Sequence, residues 1–136
     1  MVREMELGEL FNIFNNEVDE TGRSVITCSL HRYDKNKIKE ELLLEQVYYF
    51  FVTAMTLSVD RKYSVIVDLK NIKQKDVDLI FLGKLLRIFR KEIFVDALYQ
   101  CIIKNPPKFY KHCWEIVLGW KIIDPPTLQK IQVTAE

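Results

Sequence analysis

Glycine is scarce in this chain, with four among 136 residues. A glycine-rich loop that cradles phosphate is therefore excluded, and neither GxGxxG nor the P-loop pattern GxxxxGK(S/T) occurs. GxSxG and HExxH are also absent, which removes the nucleophile elbow and the zincin helix. The only histidines, His31 and His112, lie far apart in sequence. His112 and Cys113 are neighbours, but adjacent helical side chains diverge by about 100° and cannot share a metal. No metal or other cofactor is expected, and no catalytic residue. The three cysteines, Cys28, Cys101 and Cys113, form no CxxC pair and are odd in number. They read as core or incidental thiols of a reduced, cytoplasmic protein.

Charge of one sign is missing too. The formal net charge is +1, which gives no general reason to bind nucleic acid, and no recognisable nucleic-acid module accompanies it. Long apolar runs are missing as well. The longest uncharged stretch, Gln46–Val59, has 14 residues, too few to span a bilayer and suited to a buried helix. The acidic N-terminus does not resemble a secretory signal.

The chain is nevertheless rich in core formers. Hydrophobic residues make up 49% and aromatics 12%, so disorder is excluded and one domain with a real core is expected. Charge is unevenly distributed. Residues 1–20 hold six acidic residues and one basic, while residues 61–112 hold twelve basic and five acidic. Residues 1–18 read as a short acidic segment with an amphipathic helix over Leu7–Asn15. Residues 19–136 read as the domain.

Along the domain, pieces with strand and helix periodicity alternate. Asp19–Ser24 forms a turn with Gly22 at its tip. Ser24–Tyr33 alternates as a strand. Asp34 is a suitable N-cap for a helix over Ile38–Leu57, whose Leu42, Leu43, Val47, Phe50, Phe51, Ala54 and Leu57 recur at three and four. Tyr63–Leu69 is a β-branched run expected to be buried on both faces. Val77–Phe94 is a helix with Leu82, Leu85, Leu86, Phe89 and Ile93 as its apolar stripe. Ala97–Ile103 is a strand stopped by Asn105-Pro106-Pro107, since proline lacks an N–H and fixes φ. Phe109–Trp120 is a helix expected to pack back on the sheet after the proline corner through Phe109 and Trp114. Gln129–Thr134 is the last strand. This alternation predicts the α/β class: a layered, mostly parallel sheet with right-handed crossover helices.

Three features carry functional readings. Asp68 ends the central strand, where α/β sites collect. It is read either as an acceptor for the amides of the next turn or as a ligand contact. Tyr48, Tyr49, Phe50 and Phe51 encircle their helix. One side must meet the sheet, and the other a second layer, an apolar ligand or another subunit. Lys84, Arg87 and Lys91 form a ridge at spacings of three and four, with Arg90 beside it. Lys104, Lys108 and Lys111 follow at the proline corner. These cations form either a solvated face or a contact for phosphate headgroups or an acidic protein partner.

The order of pieces resembles the CRAL-TRIO family of lipid-binding domains. The resemblance starts at DETGRSVITCSL, where Asp19, Gly22, Arg23 and Val25 match the family's Asp-x-x-Gly-Arg-Pro-Val, with Ser24 in place of the proline. It continues at YSVIVDLKNI, with Asn71 near the place of a family glycine. It is most complete at CIIKNPPKFYKHCWEIVLGWKIIDPPTLQKIQV, through Asn105, Pro107, Phe109, Trp114, Thr127, Lys130, Ile131 and Val133. It covers residues 19–134. It implies a non-catalytic module that binds a phospholipid or other apolar ligand, with Tyr48, Tyr49, Phe50 and Phe51 as ligand-binding candidates. It also admits peripheral membrane contact.

Three departures stand against the family pattern. Phe94-Val95-Asp96 replaces Tyr-Pro-Glu. The helical N-terminal extension and the elements after the Lys-Ile strand are missing, so parts that gate the cavity are expected to be lacking. Divergent members linked to small-GTPase regulation bind proteins instead. The alternative is therefore a protein-interaction or assembly module, with self-association included, of CRAL-TRIO-like or STAS-like fold.

Overall fold

The computed structural model describes residues 13–29, 40–73, 79–88, 94, 96–121 and 123–134. Five strands form one sheet: β1 (Phe14–Val18), β2 (Ser24–Ser29), β3 (Tyr63–Asp68), β4 (Leu98–Lys104) and β5 (Ile131–Thr134). The strands stand in sequence order across the sheet. β1 is antiparallel to β2, and every later pair is parallel. The helices are α1 (Glu40–Leu57), α2 (Leu79–Ile88), α3 (Tyr110–Gly119) and the short α4 (Pro125–Leu128). The α/β class and the mostly parallel sheet are as the alternation predicts.

The sequential order fixes where the helices go. Each parallel step moves the same way across the sheet, and right-handed crossovers then put α1, α2 and α3 on one face. That face carries Ile26 and Cys28 of β2, Tyr63, Val65 and Val67 of β3, and Cys101 and Ile103 of β4, which stand in register. α1 covers it with Leu43, Val47, Phe51 and Ala54, four residues at helical spacing that are all buried. α2 adds Phe81, Leu85 and Ile88. Phe51 and Tyr63 meet edge to face, centroids 5.4 Å apart, a geometry aromatic pairs favour.

The opposite face presents Val25, Thr27, Ile66 and Ile102, all partly exposed. The expectation that β3 is buried on both faces is thus corrected. Tyr63 and Ser64 are buried, while Val65 to Asp68 are only partly so. A continuous apolar run does not distinguish a strand covered twice from one that borders a cavity.

Other differences have local causes. Ile13 is helical, but Phe14–Val18 is a strand paired with β2, so the helix expected over Leu7–Asn15 does not extend through Phe14. The rest of that stretch lies outside the described residues. Phe14 is buried in the core, so sheet and core take in residues set apart from the domain on charge alone. Leu57 at the end of α1 is exposed. Phe89 and Ile93, the predicted end of the α2 stripe, fall outside the described residues, as do Leu30–Tyr33 and Asp34. Trp114 is partly buried and stacks on Tyr110 at 6.1 Å and 13°, so it is neither open to solvent nor a fully buried core ring. Trp120 is the ring that meets α2. A Cβ built on Gly83 would sit 3.3 Å from its Cζ3. α4 follows from Asp124-Pro125-Pro126, because proline suits the first helical turn.

Candidate ligand cavity

The helix-covered face of the sheet is not packed solid. Between sheet and helices lies a cavity of about 400 Å³. Its floor is Cys28, Val65, Val67, Cys101 and Ile131; its roof is Phe51 of α1 with Leu82, Leu85 and Leu86 of α2. Tyr63, Phe94 and Leu98 close one side. β-branched and sulfur side chains alternate inward along the strands, so every second residue reaches the cavity. The partial exposure of Val65 and Val67 is exposure to this space.

The lining also includes polar groups: Asp96, Asp124, Thr127 and Lys130. Asp124 precedes α4, and its Oδ1 accepts the Thr127 hydroxyl at 2.7 Å. That hydrogen bond, with the nearby Lys130 charge a lesser cause, holds the Asp124 carboxyl below the ordinary carboxylate range. The Lys130 carbonyl accepts the Cys101 amide at 2.8 Å, which fixes the entry to β5 beside β4.

The apolar walls carry no charge at ordinary pH. Burial pushes the Cys28 thiol up to about 12 and the Cys101 thiol up to about 11. Burial also raises the Tyr63 hydroxyl. Desolvation disfavours the ionised form of each, so these thiols are poor nucleophiles. Among the described residues, no three His, Cys, Asp or Glu side chains gather as a metal site. Such a space can hold an uncharged body and offer a few polar groups to one end of it.

Of the four aromatic candidates, only Phe51 lines the cavity. Phe50 is partly buried against Phe14, centroids 6.0 Å apart. Tyr48 packs edge-on to Phe94 at 5.6 Å. Tyr49 is 57% exposed and touches Tyr48. A run of four rings must spread around a helix, so it cannot act as one wall. Lys84 and Arg87 are exposed on α2, and Lys104, Lys108 and Lys111 are exposed at the proline corner. Arg90 and Lys91 lie outside the described residues. Asp68 does not line the cavity; its Oδ1 accepts the Lys70 amide and the Asn105 side-chain amide, each at 2.9 Å.

The cavity residues were visible in the sequence, but in other guises. Leu82, Leu85 and Leu86 read as core stripe, and Cys28 and Cys101 as core thiols. Thr127 and Lys130 stood out only as positions of resemblance. Periodicity reports which residues face inward, not whether the interior is full.

The family model described as CRAL/TRIO domain matches residues 9–136. The chain belongs to the CRAL/TRIO domain family. No curated protein matches it by sequence. Among solved structures, this CRAL/TRIO domain is similar to the crystal structure of Sfh5, with a TM-score of 0.63 and 19% identity. The match covers 94% of this chain and 50% of that one, so the chain spans half the length of Sfh5. At this identity the likeness establishes the fold. Members of the family bind lipophilic ligands, and the cavity lies where helices and sheet of this CRAL/TRIO domain part. Among the described residues, no helix is long and apolar enough to cross a membrane.

Proposed function

We propose that this chain is a non-catalytic binding module that holds one lipophilic molecule in the cavity between the sheet and the helices α1 and α2. The observation that carries this reading is the cavity itself: about 400 Å³, walled by aliphatic, aromatic and un-ionised thiol groups. Ligand pockets run from roughly 300 to 1,000 Å³ and are mostly apolar with a few placed polar groups. This one is near the lower end of that range. It suits a single chain or a compact ring system rather than a two-chain phospholipid. Thr127 and Lys130 supply hydrogen-bonding groups for a small polar end.

Organic extraction of the purified protein, followed by mass spectrometry, tests the reading. A co-purifying lipophile is expected. Leu85→Trp, which fills the cavity from α2, should abolish its retention while leaving the fold intact. A protein that carries nothing, and that binds neither a fluorescent sterol nor a long-chain alcohol, would favour the protein-interaction alternative.

A further inference from the structure

Four of the eight large hydrophobic side chains exposed among the described residues gather at the N-terminal edge of the parallel strands: Val18, Leu57, Val59 and Tyr99. Val18 stands opposite Ser24 in register. Leu57 precedes Ser58, whose Oγ accepts the Ser24 amide. The Val59 amide donates to the Gly22 carbonyl at 3.0 Å, and its side chain is 80% exposed. Between Tyr63 and Ser64 the pairing skips from Leu98 to Gln100, so Tyr99 is the extra residue of a bulge, which re-aims its side chain. The Arg23 guanidinium lies 3.7 Å from the Tyr99 ring centroid and is held by Asp60 at 2.6 Å. That bridge ties together the β1–β2 turn, the α1–β3 turn and the start of β4. Single exposed hydrophobics are ordinary, but a gathered set with a polar rim marks a contact surface.

Charge is segregated on either side of the group. The β1–β2 turn presents Glu17, Asp19 and Glu20, all exposed, and its one cation, Arg23, is engaged by Asp60. The α1–β3 turn presents Arg61 and Lys62, also exposed, and its one carboxylate is that same Asp60. With this internal pair set aside, three acids stand on one side and two bases on the other.

We infer that this edge is the interface of a twofold homodimer. An isologous contact places residue i of one copy against j of the other, and j against i. A surface that is acidic on one side, apolar in the middle and basic on the other meets its own copy in that way. Glu17 and Glu20 of each copy then face Arg61 and Lys62 of the other, while Leu57 and Val59 meet near the axis. A partner with charge of a single sign would oppose one side with like charge. Tyrosine and arginine, here Tyr99 and Arg23, are the residue types that anchor such contacts. The apolar group is small, so association should be weak and concentration-dependent. None of these residues lines the cavity, so the inference does not depend on what the cavity holds.

Analytical ultracentrifugation of the full chain, from about 1 to 300 µM, tests it. The mass should rise toward that of two chains, and added salt should shift the protein toward monomer. Leu57→Gln with Val59→Gln should keep it monomeric throughout, with unchanged far-UV circular dichroism. Glu17→Lys with Glu20→Lys should be monomeric through repulsion, as should Arg61→Glu with Lys62→Glu. Mixed in equal amounts, these two charge-reversed proteins should form a one-to-one heterodimer, because one acid–base contact keeps its sense and the other is reversed. A parent that stays monomeric at the highest concentration, or a dimer that survives Leu57→Gln with Val59→Gln, would overturn the inference. Charge-reversed proteins that stay dimeric alone, or that do not pair with each other, would overturn it too.

Discussion

The side-chain amide of Asn105 donates to the Asp68 carboxylate across 2.9 Å, although the two residues stand 37 positions apart in sequence. This bond answers why a proline corner should begin with asparagine. Asn105 must take a left-handed φ of 55, which asparagine tolerates better than most residues. Its side chain then returns to the end of β3. Asn105→Ala removes a hydrogen bond to a carboxylate and leaves a β-carbon in left-handed backbone. A loss of about 1.5–3 kcal/mol is expected by urea unfolding. Asn105→Gly should lose less, since glycine adopts that φ freely. Equal losses for the two would show that the backbone conformation contributes nothing.

Asp68→Asn should leave uptake of a lipophile within about tenfold, or 1.4 kcal/mol, because Asp68 does not line the cavity. Titration with a fluorescent sterol measures this. A loss beyond a hundredfold with an intact fold would place Asp68 in the ligand's path.

The sheet was legible in the sequence because its strands are bounded by turn signals and its helices keep one buried stripe. Tyr63–Asp68 and Leu98–Lys104 fall where β-branched runs and the proline stop predict. β1 was missed because Phe14-Asn15-Asn16-Glu17-Val18 has polar residues on both sides of its pleat and weak strand propensity. It is held by pairing with β2 and by the burial of Phe14 against Phe50 and Phe51. The cavity was not legible for a different reason. A leucine that lines an empty space and a leucine that packs a core occupy the same helical position. The aromatic run drew attention through composition, whereas the cavity lining mixes aliphatics with rings scattered along the chain, Phe14, Phe51, Tyr63 and Phe94, and with thiols and a few polar groups.

Ser24 stands where the family pattern has proline, and the structure shows what the change supplies. The Ser24 amide donates to Ser58 Oγ at 2.6 Å, and its hydroxyl donates to the Ala54 carbonyl at 2.6 Å. Both serines are buried, and the pair ties the start of β2 to the end of α1. Ser24→Pro would remove both donors, leaving Ser58 Oγ without its amide partner and the Ala54 carbonyl with the longer Ser58 hydroxyl contact of 3.4 Å, at a total of about 1–3 kcal/mol. The double variant Ser24→Pro, Ser58→Ala should recover part of that loss, a coupling that a double-mutant cycle reads directly. Strict additivity would mean the two serines act independently.

The cavity thiols give the protein an alkaline weakness. Folding raises the Cys28 and Cys101 values from 9.0 to about 12 and about 11. The native state thus holds protons that the unfolded chain releases. This stability is fully present below the unfolded value and is lost as pH climbs from about 9 toward the native values, by up to about 1.4 kcal/mol per pH unit for each thiol. Urea midpoints should therefore fall as pH rises above about 9. A Cys101→Ala variant should show a shallower fall, although it is less stable at neutral pH. A bound lipophile should slow iodoacetamide labelling of Cys101, because the thiol would then face the ligand instead of open space.

Gly83 and Trp120 set the distance between α2 and α3. With a β-carbon on Gly83 placed 3.3 Å from Trp120 Cζ3, the ring must give by a few tenths of an ångström to admit an alanine. Gly83→Ala gains about 1 kcal/mol of helix propensity, and the crowding offsets much of it, so a near-neutral change is expected. Gly83→Val adds branches that the ring cannot avoid and gains less propensity, so overpacking of about 1–3 kcal/mol should dominate. The displaced element is α2, which carries Leu82, Leu85 and Leu86 of the cavity roof. Gly83→Val should therefore weaken lipophile binding as well as stability, with a shift in tryptophan emission. Gly83→Ala should change neither by much. Unaltered ligand affinity in a folded but destabilised Gly83→Val protein would mean that the roof position does not depend on this contact.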